Sequence, residues 1–279
     1  MCCTAMPSRL SNTTLLNAMV DHPKLGRIRV LGYEAKYQNI PTDGVSSNML
    51  FWPLGKHHIT RNNFIETKDG GGDVMQTMAR ALAPRTRGVR LDGVYGASKG
   101  EIAEVFEYND NATVVLSPSA EAIMEAVEGL SGKQKPNYIP TRLIPWMGKA
   151  YPGEMLAVVV FWNNQPKRLP VMLWEPVGDD QEFRFYSMDF HGDGRHDVPD
   201  PNETVSVDHT LVVAYPYMPS GVRPGYSLEV PQAIMDFMPP KITGKIVSGR
   251  MTNGDFAIGI ADIAKGADYF RRVNPPGIQ

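Results

Sequence analysis

The chain has 279 residues, 42% hydrophobic and 21% charged, and its 28 basic and 30 acidic side chains leave a net charge of −2. That length suits one large domain or two small ones. The charge balance offers no clustered basic face for a nucleic-acid backbone, and no run approaches the roughly 18–20 apolar residues that span a bilayer.

The adjacent Cys2 and Cys3 are the only cysteines and cannot staple distant parts of a fold. No basic segment followed by an apolar core marks a secretory signal. The expected compartment is therefore reducing: cytoplasmic, or that of an assembling virion. The nearest thing to a basic cluster, Arg85, Arg87 and Arg90, reads as the cover of a helix end.

In chain order, Thr13–Val20 is apolar enough for a strand or a short helix, and Asp21–Gly26 is a turn bent by Pro23 and Gly26. Arg27–Gln38 reads as a strand. Ile28, Val30, Gly32 and Glu34 alternate there with Arg29, Leu31, Tyr33 and Ala35, so neither face is wholly polar and both are expected to be covered. Asn48–Leu54 is a second apolar run stopped by Pro53 and Gly55, and His57-His58 a polar turn. Asp73–Ala83 sets Val74, Met78, Ala81 and Leu82 at helical spacing, with Asp73 as cap and Pro84 as stop. The glycines 70–72 before it read as a flexible loop, since the Lys-Ser/Thr of a P-loop is absent.

Short strands are expected at Val89–Tyr95, Ala103–Tyr108 and Thr113–Leu116. A helix capped by Ser119 then runs to about Leu130, burying Ile123, Ala126, Val127 and Leu130. From Ser131 to Tyr151 the composition turns to Gly, Pro, Lys and Asn, which marks 131–152 as a long surface loop or internal boundary, docked through Trp146. The strongest β pattern follows, in Met155–Asn163, Leu169–Val177, Glu182–Phe190 and Val205–Tyr215. Val158–Phe161 has no polar position and is the expected centre of a sheet.

Beyond Pro216 the pattern predicts a short helix, Pro231–Met238. A hairpin joining Ile242–Gly249 to Phe256–Ile260 through Asn253-Gly254 comes next, then a last helix at about Ala261–Arg272. Strands outnumber helices and do not alternate with them as βαβ units would. The expected fold is α+β: mainly antiparallel, strand-rich sheets with a few covering helices, an αββα sandwich being one arrangement, in a single domain spanning 1–279.

The most pointed chemistry is at the start. Methionine is commonly removed before a small second residue, which would leave Cys2 leading the mature chain. A leading cysteine carries an α-amine titrating near pH ~8 beside a thiol near ~8.5. The amine can assist deprotonation of the sulfur in the same residue, which is nucleophile and base in one. Cys3–Met6 is expected as a strand fixing the terminus. Asn163 and Asn164, after the Val158–Trp162 run, are candidate donors to an oxyanion.

The Met-Cys-x-Thr opening resembles the cysteine N-terminal-nucleophile hydrolases of the choloylglycine hydrolase and penicillin V acylase type. The resemblance implies a thiol acting on a non-peptide amide bond, with an Arg and an Asp on the next strand. Asp21 stands at a matching distance and becomes the candidate for orienting the amine, but the position three before it is Ala18, so the Arg is unmatched. A broader likeness is to bacterial proteins opening Met-Cys-Cys. It rests on Tyr151-Pro152, Leu156–Phe161 and Val207-Asp208-His209, and it implies a shared fold.

A second constellation is Asp189, His191, Asp193, His196, Asp197 and Asp200, with Asp208-His209 beyond. Imidazoles and carboxylates so close suit a divalent metal, yet the spacing matches neither a calcium loop nor a helical zinc pair. A solvated hairpin loop is the simpler reading. In Asp208-His209, neighbours on a strand face opposite ways, so one is expected buried and hydrogen-bonded.

Three functional readings follow. The first is a cofactor-free cysteine amidohydrolase using Cys2, Asp21, Asn163 and Asn164 on a small-molecule amide. The second is a non-catalytic, self-associating structural or virion subunit, suggested by the strand-rich pattern and Pro-rich loops. The third is a metal-binding protein using 189–200. No nucleic-acid or membrane partner is expected.

Overall fold

The computed structural model describes residues 2–40, 47–67, 74–83, 103–109, 112–162, 167–177, 182–192, 196–216, 218, 220–226, 230–265 and 270–278. In order along the chain these form β1 (Cys2–Thr4), β2 (Ser8–His22), β3 (Gly26–Asn39), β4 (Ser47–Pro53), α1 (Val74–Leu82), β5 (Glu104–Tyr108) and β6 (Ala112–Ser117). Then come α2 (Ala120–Gly129), α3 (Leu143–Ala150), β7 (Leu156–Trp162), β8 (Lys167–Pro176), β9 (Glu182–Phe185) and β10 (Asp189–Phe190). The chain finishes with β11 (Thr204–Ala214), α4 (Gln232–Met235), β12 (Thr243–Thr252), β13 (Asp255–Gly259), α5 (Ile260–Ala264) and β14 (Arg271–Val273).

The fold is α+β and mainly antiparallel. Its strands make three sheets, ordered β10-β1-β4-β7-β6-β5, β12-β11-β2-β3-β8 and β14-β13-β9. Among the described residues only β1 with β10 and β11 with β2 run parallel. The two larger sheets stack face to face, as Tyr37 of β3 meets Phe161 of β7 with ring centroids 4.3 Å apart and Tyr33 meets Trp52 of β4 at 6.4 Å. Helices close the outer faces. Val74, Met75 and Met78 of α1 cover Leu16, Val30 and Met172 of the five-stranded sheet, while α2 packs on β6 and on α3. The layers thus read helix, sheet, sheet, helix, and β3 and β7 are buried on both sides because each lies inside a sheet that is covered twice.

Close packing of α1 depends on Gly32, since a Cβ there would sit 2.9 Å from Met75 Sδ. The two charged side chains that this burial traps in β3 are paired. Glu34, fully buried, meets Arg168 at 2.8 Å, and Arg29 meets Glu175 at 3.3 Å. Among the described residues no helix is long and apolar enough to cross a membrane.

Several elements depart from expectation. The hairpin at Asn253-Gly254 does not form: β12 pairs along β11, whereas β13 pairs with β9 and β14. β12 is an exposed edge strand and β13 is almost wholly buried, so the dipeptide is a corner between sheets. The stretch from Ser131 to Tyr151 is no open loop but contains α3, whose Leu143, Ile144, Met147 and Ala150 are buried in the main core. Pro145 hid it, although proline in the first turn removes no helical hydrogen bond.

The run Glu182–Phe190 splits into β9 and β10 because its two ends serve different sheets. The last helix stops at Ala264, and Arg271–Val273 is a strand. The expected strand Val89–Tyr95, the glycine loop with Asp73, and Arg85, Arg87 and Arg90 lie outside the described residues.

Candidate active site at the start of the chain

β1 is an interior strand. It runs parallel to β10, with Cys2 opposite Asp189 and Cys3 opposite Phe190, and antiparallel to β4, with Cys3 opposite Phe51. The sequence after it locks the arrangement. Cys3, 1% exposed, donates its S–H to the Met188 carbonyl at 3.0 Å. Ala5 N donates to Met49 O at 3.1 Å, and Asn48 brackets Met6 by accepting from its N–H at 3.0 Å and donating to its carbonyl at 2.9 Å. The start of the chain is therefore a fixed part of the sheet.

Asp189, the residue in register with Cys2, is held by Asn253. The buried amide accepts from Asp189 N at 2.7 Å and donates to Asp189 O at 2.9 Å and Asp200 O at 3.0 Å. This clamp fixes β10. The Asp189 carboxylate lies 2.7 Å from His191 Nε2, a close electrostatic approach without hydrogen-bond alignment. The His191 side chain is 32% exposed, with its Nδ1 covered and its Nε2 turned to the carboxylate, which is itself mostly covered. The chain then turns at Gly192, at φ 57°, where a Cβ would come 2.4 Å from Ala5 O. Only glycine lets this turn lie against the end of β1.

Behind this edge is a buried polar network. His209, 5% exposed, has Nε2 2.8 Å from Ser187 Oγ, and burial holds its imidazole well below the usual histidine range. Asp208 beside it faces out, as alternation on a strand requires. Asp255 is fully buried. It accepts from Ser187 N at 2.8 Å, Tyr151 Oη at 3.0 Å and Arg184 Nη2 at 2.9 Å. Burial, with the Asp255 charge adding, lifts the Tyr151 phenol well above its ordinary value.

The other sequence candidates fall elsewhere. Asp21 closes the exposed end of the β2–β3 hairpin in an ion pair with Arg27 at 2.9 Å. It lies on the five-stranded sheet, so Asp189 is the carboxylate in register with Cys2. Met1, Asn163 and Asn164 lie outside the described residues. The far end of β7 is remote from Cys2 in register. Phe51, opposite Cys3, pairs with Val158, so Cys2 is level with the Ala157 end of β7. Trp162, the last residue of β7, is five residues further along, roughly 17 Å.

The described acids of 189–200 do not converge. Asp197 pairs with Arg142, and Asp200 Oδ1 accepts from Asn202 N at 2.8 Å. Among the described residues no group of three or more His, Cys, Asp or Glu is placed to hold a metal ion, and Asp193 lies outside them. The acid–imidazole pair beside Cys2 escaped sequence reasoning as such, because pairing between the first and tenth strands leaves no local signal.

No protein-family model and no curated protein matches the chain. Among solved structures it is similar to one titled crystal structure of baculovirus P35, at 13% identity and a TM-score of 0.38. The likeness covers 74% of this chain and 64% of that one, less than two thirds of the neighbour's length.

Proposed function

We propose that the chain is a cysteine-nucleophile hydrolase that attacks a small-molecule amide through Cys2. The observation that supports it is the register of β1, which fixes Cys2 opposite Asp189, with the partly exposed His191 against that carboxylate. A nucleophile needs a held backbone, a base and a group orienting the base. The α-amine of a leading Cys2 and the His191 imidazole are the bases, and the Asp189 carboxylate beside His191 offsets its charge when protonated.

In the reaction the thiolate adds to the amide carbonyl carbon. The C–N bond breaks as the departing nitrogen takes a proton from the conjugate acid of the base. Water then cleaves the thioester and returns the thiol. Cys3 is not the nucleophile, since its sulfur is buried and committed to Met188 O. Asp21 is left with a surface role in the hairpin.

The test is intact mass followed by a panel of fluorogenic acyl amides. The expected result is a chain lacking Met1 that turns over at least one amide, with loss of turnover in Cys2→Ala and slowing of at least tenfold in His191→Ala. A retained methionine, undiminished turnover in Cys2→Ala, or acylation without turnover would each refute a hydrolase working through this residue.

A further inference from the structure

A second candidate site does not have Cys2 in its lining. A cavity of about 460 Å³ is lined by Asn17 of β2, Arg29 of β3, Glu154, Glu175 of β8, Arg184 of β9 and Tyr186, with Leu31 and Leu54 supplying apolar wall. Its two arginines are already engaged. Arg29 is paired with Glu175 at 3.3 Å, and Arg184 is held by Asp255 at 2.9 Å and by the Asn274 carbonyl at 2.6 Å.

Glu154 is different. It is 5% exposed, and among the described residues no cation lies within ion-pair distance of its carboxylate. Among the described residues its oxygens take the Gly55 N–H at 3.2 Å and the Tyr186 hydroxyl. Gly55, at φ 86°, brings the groups around one point, since a Cβ there would lie 3.7 Å from Glu175 Oε2 and 3.9 Å from Tyr186 Oη.

Asn17 is an independent pointer. It lines the cavity, is 2% exposed and donates through Nδ2 to the Arg184 carbonyl at 3.1 Å, yet its buried Oδ1 has no hydrogen-bond partner among the described residues. A buried acceptor left unmade costs about 1–3 kcal/mol, so such an atom calls for a donor. Carboxylate, amide oxygen and two leucines together are complementary to a positive head with several N–H groups on a short alkyl chain.

We infer that this cavity binds a small alkylammonium or alkylguanidinium ion, with Glu154 as its counter-ion and Asn17 Oδ1 as an acceptor. Binding is coupled to protons. Burial, the largest influence, raises the Glu154 carboxyl above its ordinary value, against the lowering effect of Tyr186, Gly55 and Arg184, and Asp255 adds to the rise. An arriving cation displaces that proton, so affinity increases with pH until Glu154 is ionised. Tyr151 lies beyond Tyr186, and Arg29 and Glu175 face the same space as a neutralised pair. Lys56 and His57 at the rim oppose a cation, Lys56 from an exposed position where water screens it.

The test is calorimetric titration of the full chain with butylamine, butylguanidine and, as the uncharged control, butanol, at pH 5 and pH 7.5. Saturable binding of one cation or both, tighter at pH 7.5, with butanol silent, is the expected result. Preference between the two cations identifies the head group. Glu154→Gln, which keeps the side-chain shape, should weaken binding at least tenfold and remove the pH dependence, and Asn17→Ala should weaken it severalfold at either pH. Thermal unfolding of each variant verifies that it folds, and binding in Cys2→Ala should be unchanged, which separates this site from the proposed hydrolase. No binding at millimolar cation, equal binding of butanol, or full affinity in Glu154→Gln would overturn the inference.

Discussion

His209 presents its Nε2 to Ser187 Oγ at 2.8 Å and is buried, so folding holds it neutral where the unfolded chain would take a proton near pH ~6.5. The unfolded state therefore binds more protons in the window below that value. The stability due to this residue is complete above pH ~6.5 and is lost as pH falls through that window. Glu154 acts in the opposite sense: its carboxyl is raised, so its contribution is present at low pH and is lost as pH rises through the folded value. Urea midpoints of wild type and His209→Gln at pH 7.5 and 5.5 should show a shallower acid loss in the variant; parallel losses would mean that His209 does not carry it. Asp255 is the other single residue on which much depends, with Tyr151, Arg184 and Ser187 all donating to it. Removing it strands a partly buried guanidinium, so Asp255→Ala should cost about 3–5 kcal/mol in urea unfolding. Tyr151→Phe, which forfeits one donor, should cost about 1 kcal/mol.

At the scale of elements, two small devices set boundaries. Ser119 Oγ accepts from Ala122 N at 3.1 Å and caps α2, so Ser119→Ala should lower stability by about 1 kcal/mol, read from the urea midpoint. Asn253 ties the β12–β13 corner to β10, and Asn253→Ala should cost about 2–4 kcal/mol by opening four hydrogen bonds. Hydrogen exchange should then quicken at Asp189 before it quickens in β7. These residues also show what could be read in advance. Local periodicity sufficed for α1, α2, β3, β4 and β7, because helix caps and apolar alternation are written within a few residues. Asn253 misled because Asn-Gly is a turn signal only when the asparagine is free, and here its amide is buried as a clamp between strands. α3 was masked by Pro145, and the break at 186–188 carries neither Gly nor Pro, since it is imposed by two sheets competing for one run.

For the molecule as a whole, the layered α+β arrangement followed from composition and strand count, but the company each residue keeps did not. Asp189 and His191 read as members of a solvated loop until the parallel pairing of β1 with β10 set them beside Cys2. The same topology carries Asp21 to an exposed hairpin and turns the end of β7 away from the leading cysteine. The two cysteines provide the most direct measurement. They are neighbours in sequence, yet Cys3 is buried with its sulfur on Met188 O, while Cys2 is proposed to be the reactive thiol. The native chain should be treated with a thiol-selective chloroacetamide across pH 6–9 and the labelled peptide fragmented to separate the two positions. The account predicts rapid, single modification at Cys2, slowed in His191→Ala, with Cys3 labelled only after denaturation. Equal labelling of both, or a Cys2 that reacts no faster than an unfolded-chain thiol, would contradict it.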